Sequence, residues 1–332
     1  MENSYNESSK HINILFLGAG KRVSLLERLQ EDFERIGVKT KFYSIELYKD
    51  VPISYCAEVI AGPKFDNVYF QDFLIDVVKQ KHINIVIPCM DSAVNALSLS
   101  KYILFNNFQC MALVSDSSVC NNFVDKIKAA NIFRNNEINH PKTITRANIS
   151  LAKYPLIAKP KNGYGARGQT IIDNFLGIDN FIDNDKYLLQ EYVKCDTEYT
   201  VDCYISKNKK ITSIVPRKRI EVIGGEVSRT EVIKNQKIID YSEMILSKFN
   251  FFGAITIQML DTEVPTVIEI NCRFGGGVIA SFIAGCKFGE WIYNDLICQE
   301  NCRYDSWNYD FVMARANREF IFRKEHENYS RP

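Results

Sequence analysis

Short apolar runs alternate with helix-like segments in the first third of the chain. Apolar residues recur every three or four positions from Val23 to Ile36 and from Phe70 to Val78, which predicts two amphipathic helices. This alternation predicts a parallel sheet with helices on both faces, and ligands of such sheets bind at the carboxyl ends of the strands. Four apolar runs are the predicted strands: His11–Leu17, Lys39–Ile45, Asn84–Pro88 and Met111–Ser115.

The pattern changes from residue 155 onward. Strand-like runs now come close together with short polar turns between them, which predicts antiparallel sheets. These runs are Pro155–Pro160, Gln169–Ile172, Tyr187–Val193, Tyr199–Ile205 and Lys210–Val215. A helix is then predicted over Ile238–Phe249, and a hairpin is predicted to pair Ala254–Leu260 with Thr266–Cys272.

A connection lies between these two regions. The pair Ser115–Asp116 can cap a helix that runs through Val119, Phe123 and Ile127. The stretch that follows, residues 135–146, is polar and predicts a link between lobes.

Composition narrows the function classes. The chain has 332 residues, 46% of them hydrophobic and 24% charged, a balance typical of a globular protein with two or three lobes. Its formal net charge of +1 gives no general attraction to nucleic acid or anionic membranes. No apolar run approaches the roughly 20 residues that span a bilayer. Residues 1–10 are polar, which predicts a disordered tail rather than a secretion signal, and we expect a cytoplasmic protein.

The most informative polar residues lie on the last strand of the predicted hairpin. Side chains two positions apart on a strand share a face, so Glu269, Asn271 and Arg273 should point the same way. Ile268 and Ile270 would then face the core. A carboxylate, an amide and a guanidinium in line suit an oxygen-ligand Mg²⁺ site beside phosphates, where the guanidinium stabilises a transferring phosphoryl group.

Two neighbouring features favour a binding site at this strand. Gln258, on the preceding strand, can reach the same face, and the glycine loop Gly275–Gly277 is suited to close approach of a ligand. The alternative is a solvated polar face with a salt bridge.

A second candidate is the lysine that ends the apolar run before residue 160. Lys159 is followed by Gly163, Gly165 and Gly168, a loop that can present backbone N–H groups to phosphate oxygens. It is not a Walker A loop, because the glycines follow the lysine. A flexible hairpin turn is the alternative, and the lysine on the preceding strand favours phosphate binding.

The third candidate is the glycine turn Gly18–Arg22. A turn between strand and helix can bind an anion, but the dinucleotide fingerprint requires a third glycine where Val23 stands. Glu46 is a candidate for the acidic residue of that fingerprint. The alternatives are a tight turn with a solvated Lys–Arg pair and a contact to a substrate carboxylate.

Taken in order, these residues resemble the ATP-grasp superfamily. The motifs that carry the resemblance are Asp125–Lys126, Lys159–Pro160, the glycine loop at 163–168, Gln190–Val193, Glu198, Gln258 and Glu269–Arg273. Among its branches, the sequence is most similar to the halves of the carbamoyl-phosphate synthetase large chain and their stand-alone relatives. The resemblance runs from His11 to about Phe322. It implies the ATP-grasp fold, of mixed α/β and α+β class.

The resemblance also implies a division of the chain. An N-terminal parallel-sheet domain (pre-ATP-grasp, Rossmann-like) would occupy residues 11–115, and a linking helix and connection residues 116–154. Two lobes would grip ATP: a small lid lobe at 155–192 and a C-terminal lobe with the metal site at 193–325.

Individual roles follow from the same resemblance. The residues implied for ATP are Lys126, Lys159, Gly163, Gly165 and Gly168 at the phosphates, Glu191 and Val193 at the adenine, and Glu198 at the ribose. Mg²⁺, or Mn²⁺ as a substitute, would be held by Gln258, Glu269 and Asn271. Arg273 and Lys159 would be catalytic. The acceptor substrate would be bound by Gly18, Arg22, Asp91, Arg219, Ser228 and Gly276.

The implied activity is that of a ligase of class 6.3, which forms a C–N bond. It would convert a carboxylate into an acyl phosphate with ATP, pass the acyl group to an amine or other nucleophile, and release ADP and phosphate. The implied partners are small-molecule carboxylates and amines and a second copy in a homodimer, not nucleic acid or membrane. The alternatives are a carbamoyl-phosphate synthetase-like subunit, a non-catalytic ATP-binding module and an NAD(P)-dependent oxidoreductase.

Overall fold

The computed structural model of the chain describes residues 11–161, 168–182 and 184–322. The predicted disordered tail at residues 1–10 lies outside these ranges, and so do Gly163, Gly165 and residues 323–325 of the predicted C-terminal lobe. Within the described ranges, no helix combines the length and the apolar character needed to cross a membrane.

Parallel strands form the N-terminal sheet in the order β3-β2-β1-β4-β5, which confirms the predicted parallel sheet. The strands are β1 (His11–Leu17), β2 (Lys39–Glu46), β3 (Glu58–Ala61), β4 (Ile85–Pro88) and β5 (Met111–Ala112). The helices between them in sequence are α1 (Val23–Arg35), α2 (Phe70–Gln80) and α3 (Asp91–Phe108). The sequence pattern does not reveal β3, because that strand is short and none of its residues is buried.

The predicted connecting helix is two helices rather than one. The first, α4 (Ser117–Val124), ends at Asp125, and α5 (Lys126–Asn135) begins directly after it. Asp125 has an extended backbone, and its carboxylate accepts hydrogen bonds from two backbone N–H groups of the next turn, at 2.9 and 3.2 Å. This N-cap interrupts the helix and places Lys126 in the first turn of α5.

The small sheet is antiparallel, in the order β7-β6-β8. Its strands are β6 (Leu156–Pro160), β7 (Thr170–Ile172) and β8 (Tyr187–Glu191). Its core is a cluster separate from that of the rest of the chain, made of Ile144, Leu156, Ala158, Ile172, Ile178, Ile182 and Leu189. Ile144 belongs to the predicted link, so the packing of this lobe begins upstream of residue 155.

Antiparallel strands form the large sheet, in the order β13-β12-β9-β10-β11-β14. The strands are β9 (Glu198–Ile205), β10 (Ile211–Ile223), β11 (Glu226–Val232), β12 (Gly253–Leu260), β13 (Thr266–Asn271) and β14 (Phe311–Ala314). The helices of this region are α6 (Gln236–Ser247), α7 (Ile279–Ile283) and α8 (Phe288–Leu296). The predicted hairpin between β12 and β13 is confirmed. The strand β10 continues beyond its predicted end at Val215, because its second half carries charged side chains that hide the strand pattern.

A buried ion pair stabilises the centre of the large sheet. Asp202 on β9 and Arg217 on β10 are 2% and 1% exposed. Arg217 donates through Nε and Nη2 to the two oxygens of Asp202, at 2.7 and 3.1 Å. Ser281 Oγ donates to the same carboxylate at 2.6 Å. Because both charges are buried, each depends on the other for compensation.

Removal of one member of this pair should destabilise the fold. We expect Asp202→Asn to lower the free energy of unfolding by about 3–5 kcal/mol, because it leaves the Arg217 charge buried and uncompensated. Urea unfolding followed by circular dichroism measures the effect. The double variant Asp202→Asn/Arg217→Gln should lose less free energy of unfolding than the two single variants lose together. Single variants whose free energy of unfolding lies within about 0.5 kcal/mol of the wild-type value would show that the two charges do not depend on each other.

Candidate functional site

A cleft of about 1090 Å³ lies between the N-terminal sheet, the small sheet and the large sheet. Most of the predicted site residues line it: Gly18, Arg22, Asp91, Lys126, Lys159, Glu191, Val193, Glu198, Arg219, Gln258, Glu269, Arg273 and Gly276. Gly168, Ser228 and Asn271 are described but are not part of this lining. The structure therefore brings together residues that are more than 200 positions apart in the sequence.

The hairpin of β12 and β13 forms one wall of the cleft. Its register places Gln258 opposite Glu269. A bulge interrupts the alternation just before Glu269, so that Val267 is fully buried whereas Ile268 lines the cleft. The prediction that Ile268 faces the core is therefore wrong, because the extra residue shifts the side chains of the bulged strand relative to its partner.

The oxygen donors at this wall suit a hard cation. Glu269 faces the cleft, and Gln258 lines it from the neighbouring strand. Asn271 lies behind the cleft surface at 7% exposure, where its Oδ1 accepts a hydrogen bond from Arg273 Nη2 at 3.4 Å. The described part of the chain holds no cluster of three or more His, Cys, Asp or Glu that could bind a metal. One carboxylate with amide oxygens still fits Mg²⁺, which keeps waters and substrate phosphates among its ligands.

Two lysines surround Glu269. Lys126, at the start of α5, places Nζ 3.5 Å from Glu269 Oε1, and Lys159 lies on β6. Burial lowers the pKa of Lys159 and Lys126 lowers it further, whereas the charge of Glu269 raises it. Because Lys126 lowers the pKa of Lys159, the two ammonium groups repel each other, and an anion bound beside them would offset this repulsion.

Glu198, at the start of β9, lies near the same group of charges. Burial raises the pKa of Glu198, whereas Arg219, whose Nε is 3.1 Å from Oε1, lowers it. Arg219 thus lies beside the residue predicted for the ribose, and it lines the cleft. Ser228 is not part of the cleft lining, and its hydroxyl donates to Glu221. The pairing of β10 with β9 brings Arg219 to Glu198, and the pairing of β10 with β11 brings Ser228 to Glu221; the sequence pattern reveals neither register.

The segment that joins the small sheet to the large sheet forms a more apolar part of the cleft. Glu191 and Val193 line it together with Ile157 and Leu260. The N–H group of Glu191 donates to the carbonyl of Lys142 at 3.0 Å, which fixes the backbone where β8 ends. Apolar side chains beside a fixed peptide edge suit a flat heteroaromatic ring.

Arg273 links the β13 wall to the N-terminal sheet. Its Nε and Nη2 donate to the two carboxylate oxygens of Asp91, at 2.7 and 3.3 Å. Asp91 is the first residue of α3, where the helix N-terminus favours negative charge. Burial alone would lower the pKa of Arg273, but the carboxylates of Asp91 and, to a smaller degree, Glu269 help to raise it above its usual value. The guanidinium is therefore charged and fixed in orientation.

The glycine loop Gly275–Gly277 follows Arg273. Arg22 donates through Nη1 to the carbonyl of Gly275 at 3.1 Å, and a Cβ on Gly277 would lie 2.6 Å from Arg217 Nη1. A larger residue at that last position would therefore displace the buried guanidinium. The loop brings Arg22 and Arg273, from two different lobes, to the same part of the cleft.

The turn between β1 and α1 binds a carboxylate of the protein itself. Glu46, at the end of β2, accepts a hydrogen bond from Ser44 Oγ at 2.6 Å and lies beside the N–H groups of Ala19 and Gly20, which act on its carboxylate. Burial raises the pKa of Glu46, and these donors offset part of the effect. A carboxylate beside these donors disfavours dinucleotide binding at the turn, because a pyrophosphate there would face its negative charge. In the sequence, Glu46 can be recognised as a candidate site residue by its position at the end of a predicted parallel strand.

Known proteins share this architecture. Residues 123–277 match the family model of an ATP-grasp domain. An N5-carboxyaminoimidazole synthetase from Staphylococcus aureus, complexed with ADP, has a TM-score of 0.71 at 17% identity, and the match covers 90% of this chain and 80% of that one. The biotin carboxylase domain dimer of the Hydrogenobacter thermophilus 2-oxoglutarate carboxylase, in complex with MgADP, ADP and bicarbonate, has a TM-score of 0.69 at 12% identity, with 90% and 73% covered.

The similarity to solved structures is one of fold, given identities this low. No curated protein matches the chain. The predicted ATP-grasp fold is confirmed by the domain match and by the similar structures together.

The buried charge of Lys159 should lower stability near neutral pH. Lys159 has a lower pKa in the folded state than in the unfolded chain, so the unfolded state binds more protons between these two pKa values. The loss of stability is therefore complete below the folded pKa and disappears above the unfolded pKa. We expect Lys159→Met to raise the melting temperature at pH 7, and the gain should shrink as pH approaches about 10.5, the unfolded value. Scanning calorimetry at several pH values measures it. The matched control is Lys153→Met, an exposed lysine of the same region. A gain that does not change with pH would contradict this cause.

Proposed function

We propose, from the premise that residues 123–277 form an ATP-grasp domain in a chain of ATP-grasp fold, that the protein is an ATP-dependent ligase joining a carboxylate to an amine or other nucleophile. One observation supports this most directly: Lys126 Nζ lies 3.5 Å from Glu269 Oε1, and Lys159 lies near the same carboxylate. Cations suited to phosphate oxygens thus stand beside an oxygen ligand suited to a metal. A metal–triphosphate requires both.

The nucleotide would lie along the cleft from the segment after β8 to the two lysines. In this proposal the adenine packs against Ile157 and Leu260 and contacts the backbone at Glu191 and Val193, while the ribose reaches Glu198. All five residues line one cleft. The similar structures that contain ADP or MgADP support this kind of ligand for the fold.

Magnesium would be held at the β13 wall. Glu269 would supply the carboxylate, and Gln258 and Asn271 amide oxygens, with Asn271 turning from Arg273 toward the cleft. The bound ion would neutralise phosphate charge, and Mn²⁺, which takes the same oxygen ligands, is an expected substitute.

The proposed reaction has two steps. A carboxylate oxygen of one substrate forms a bond to the γ-phosphorus as the bond from that phosphorus to the β–γ bridging oxygen breaks, which releases ADP and leaves an acyl phosphate. A neutral amine nitrogen then forms a bond to the acyl carbon as the carbon–oxygen bond to phosphate breaks, and the departing phosphate takes the proton that the amine gives up. The product is an amide. The first step turns a poor leaving group into a good one.

The chain would contribute positioning and charge. Lys126 and Lys159 would stabilise the charge of the transferred phosphoryl group, and Arg273 the acyl phosphate. Because Arg273 is held by Asp91 before substrate arrives, its orientation costs little at the moment of reaction. The cleft volume of about 1090 Å³ suits small-molecule substrates beside a nucleotide. We also propose a homodimer, which light scattering would test.

Neutralisation of the proposed metal ligand tests this function. In the wild type we expect ADP release from Mg–ATP to depend on a carboxylate and an amine from a broad panel. Glu269→Gln should reduce that release by more than about 100-fold, because partners of a metal ligand alone are commonly worth 10- to 100-fold. A coupled assay for ADP measures the rate.

The matched control is Glu263→Gln, which removes a carboxylate from the exposed turn between β12 and β13. It should keep the wild-type rate. Substrate-dependent ADP release that survives Glu269→Gln would show that the metal assignment is wrong. Nucleotide binding without turnover across the whole panel would favour a non-catalytic ATP-binding module.

Nucleotide specificity separates the ligase from an oxidoreductase. We expect calorimetry to show binding of Mg–ATP and none of NAD⁺ or NADP⁺, because Glu46 occupies the donors that a pyrophosphate would need. Lys159→Met should weaken ATP binding roughly 10- to 100-fold through the loss of a charged phosphate contact. Binding of NAD(P) with micromolar affinity would contradict the proposed function.

A further inference from the structure

The end of the cleft formed by the N-terminal sheet carries a carboxylate without a counter-ion. Glu46, partly buried at the end of β2, lines the cleft. Two other carboxylates there are paired, Asp91 with Arg273 at 2.7 Å and Glu226 with Arg315 at 3.0 Å. For Glu46, the described residues provide no lysine or arginine within ion-pair distance. A partly buried negative charge of this kind would gain from a cation supplied by a ligand.

Hydrogen bonds fix the orientation of this carboxylate. It accepts a hydrogen bond from Ser44 Oγ at 2.6 Å, and a Cβ on Gly20 would lie 3.1 Å from Glu46 Oε2, so the carboxylate lies against the β1–α1 turn. An ionised carboxylate offers about four acceptor positions, so a ligand in the cleft can still donate to it. Glu46 is therefore preorganised to accept one more hydrogen bond.

The surface next to Glu46 is apolar. Phe65 and Met90 line the cleft and pack on Gly18, where a Cβ would lie 3.2 Å from the Phe65 ring and 2.5 Å from Met90 Sδ. The carbon chain of a substrate can lie on this surface while its polar head group reaches the carboxylate.

We propose that Glu46 binds the amine of the nucleophilic substrate, as an ammonium or N–H donor, and that this substrate carries no phosphate at that end. The inference rests on the proposed ligase function and names the chemistry of its acceptor. A phosphate placed at the N–H groups of Ala19 and Gly20 would face the charge of Glu46. The position is close to the proposed reaction centre, because Arg22, two residues after Gly20, contacts the loop at Gly275.

Ligand-induced thermal shift with the full-length protein tests the proposal without requiring turnover. Wild type, Glu46→Gln and the control Glu263→Gln would be titrated, with Mg²⁺ and the non-hydrolysable analogue AMP-PNP present, against α-amino acids and diamines and their hydroxy analogues. Serine and O-phosphoserine add a pair that differs only in a phosphate. We expect amines to bind the wild type and the control, and roughly 10- to 100-fold more weakly to Glu46→Gln, because a charge-assisted hydrogen bond is lost.

Three results would overturn the proposal: hydroxy or phosphorylated analogues that bind the wild type as tightly as the amines, amines that bind Glu46→Gln unchanged, or no amine that binds the wild type. Stabilisation by Mg–AMP-PNP alone reports separately on the proposed function, so its absence would count against the nucleotide site and not against Glu46. Ser44→Ala, which removes one hydrogen bond to Glu46, should weaken amine binding to an intermediate degree. This second variant keeps the test decisive if Glu46→Gln does not fold.

Discussion

The ion pair between Arg273 and Asp91 is the contact on which the candidate site depends. It joins the end of β13 to the first turn of α3, so that the large sheet and the N-terminal sheet share one wall of the cleft. Arg273 also donates to Asn271, and through it the same contact orients an amide of the proposed metal site. Together with the hydrogen bond from Arg22 to the carbonyl of Gly275, this pair fixes the large sheet against the N-terminal sheet at the cleft.

Charge is separated along the cleft. Lys126 and Lys159 favour a polyanion at the end near the small sheet, where burial and mutual repulsion already lower the pKa of Lys159. At the other end, Glu46 occupies the donors of the β1–α1 turn and makes that turn unfavourable for an anion. A triphosphate would therefore be favoured at the end near the two lysines.

Local patterns predicted the features that depend on local interactions. The alternation of strand-like and helix-like segments identified the N-terminal sheet, and the period of two along a strand identified the polar residues of β13. Both patterns depend on which side chains are buried. Tertiary features could not be predicted in this way. The bulge at Ile268 arises from pairing with β12, the neighbours of Arg219 arise from the register of β10 with β9, and the neighbour of Ser228 arises from the register of β10 with β11. Asp125 interrupts the helix because its carboxylate caps α5, which outweighs a continuous apolar stripe.

A crystal structure of the protein with Mg²⁺ and AMP-PNP would test the central claim most directly. We expect phosphate oxygens within hydrogen-bond distance of Lys126 and Lys159, the metal on Glu269, and the adenine beside Glu191. A nucleotide whose phosphates lie on the β1–α1 turn, or whose metal lies away from Glu269, would contradict it.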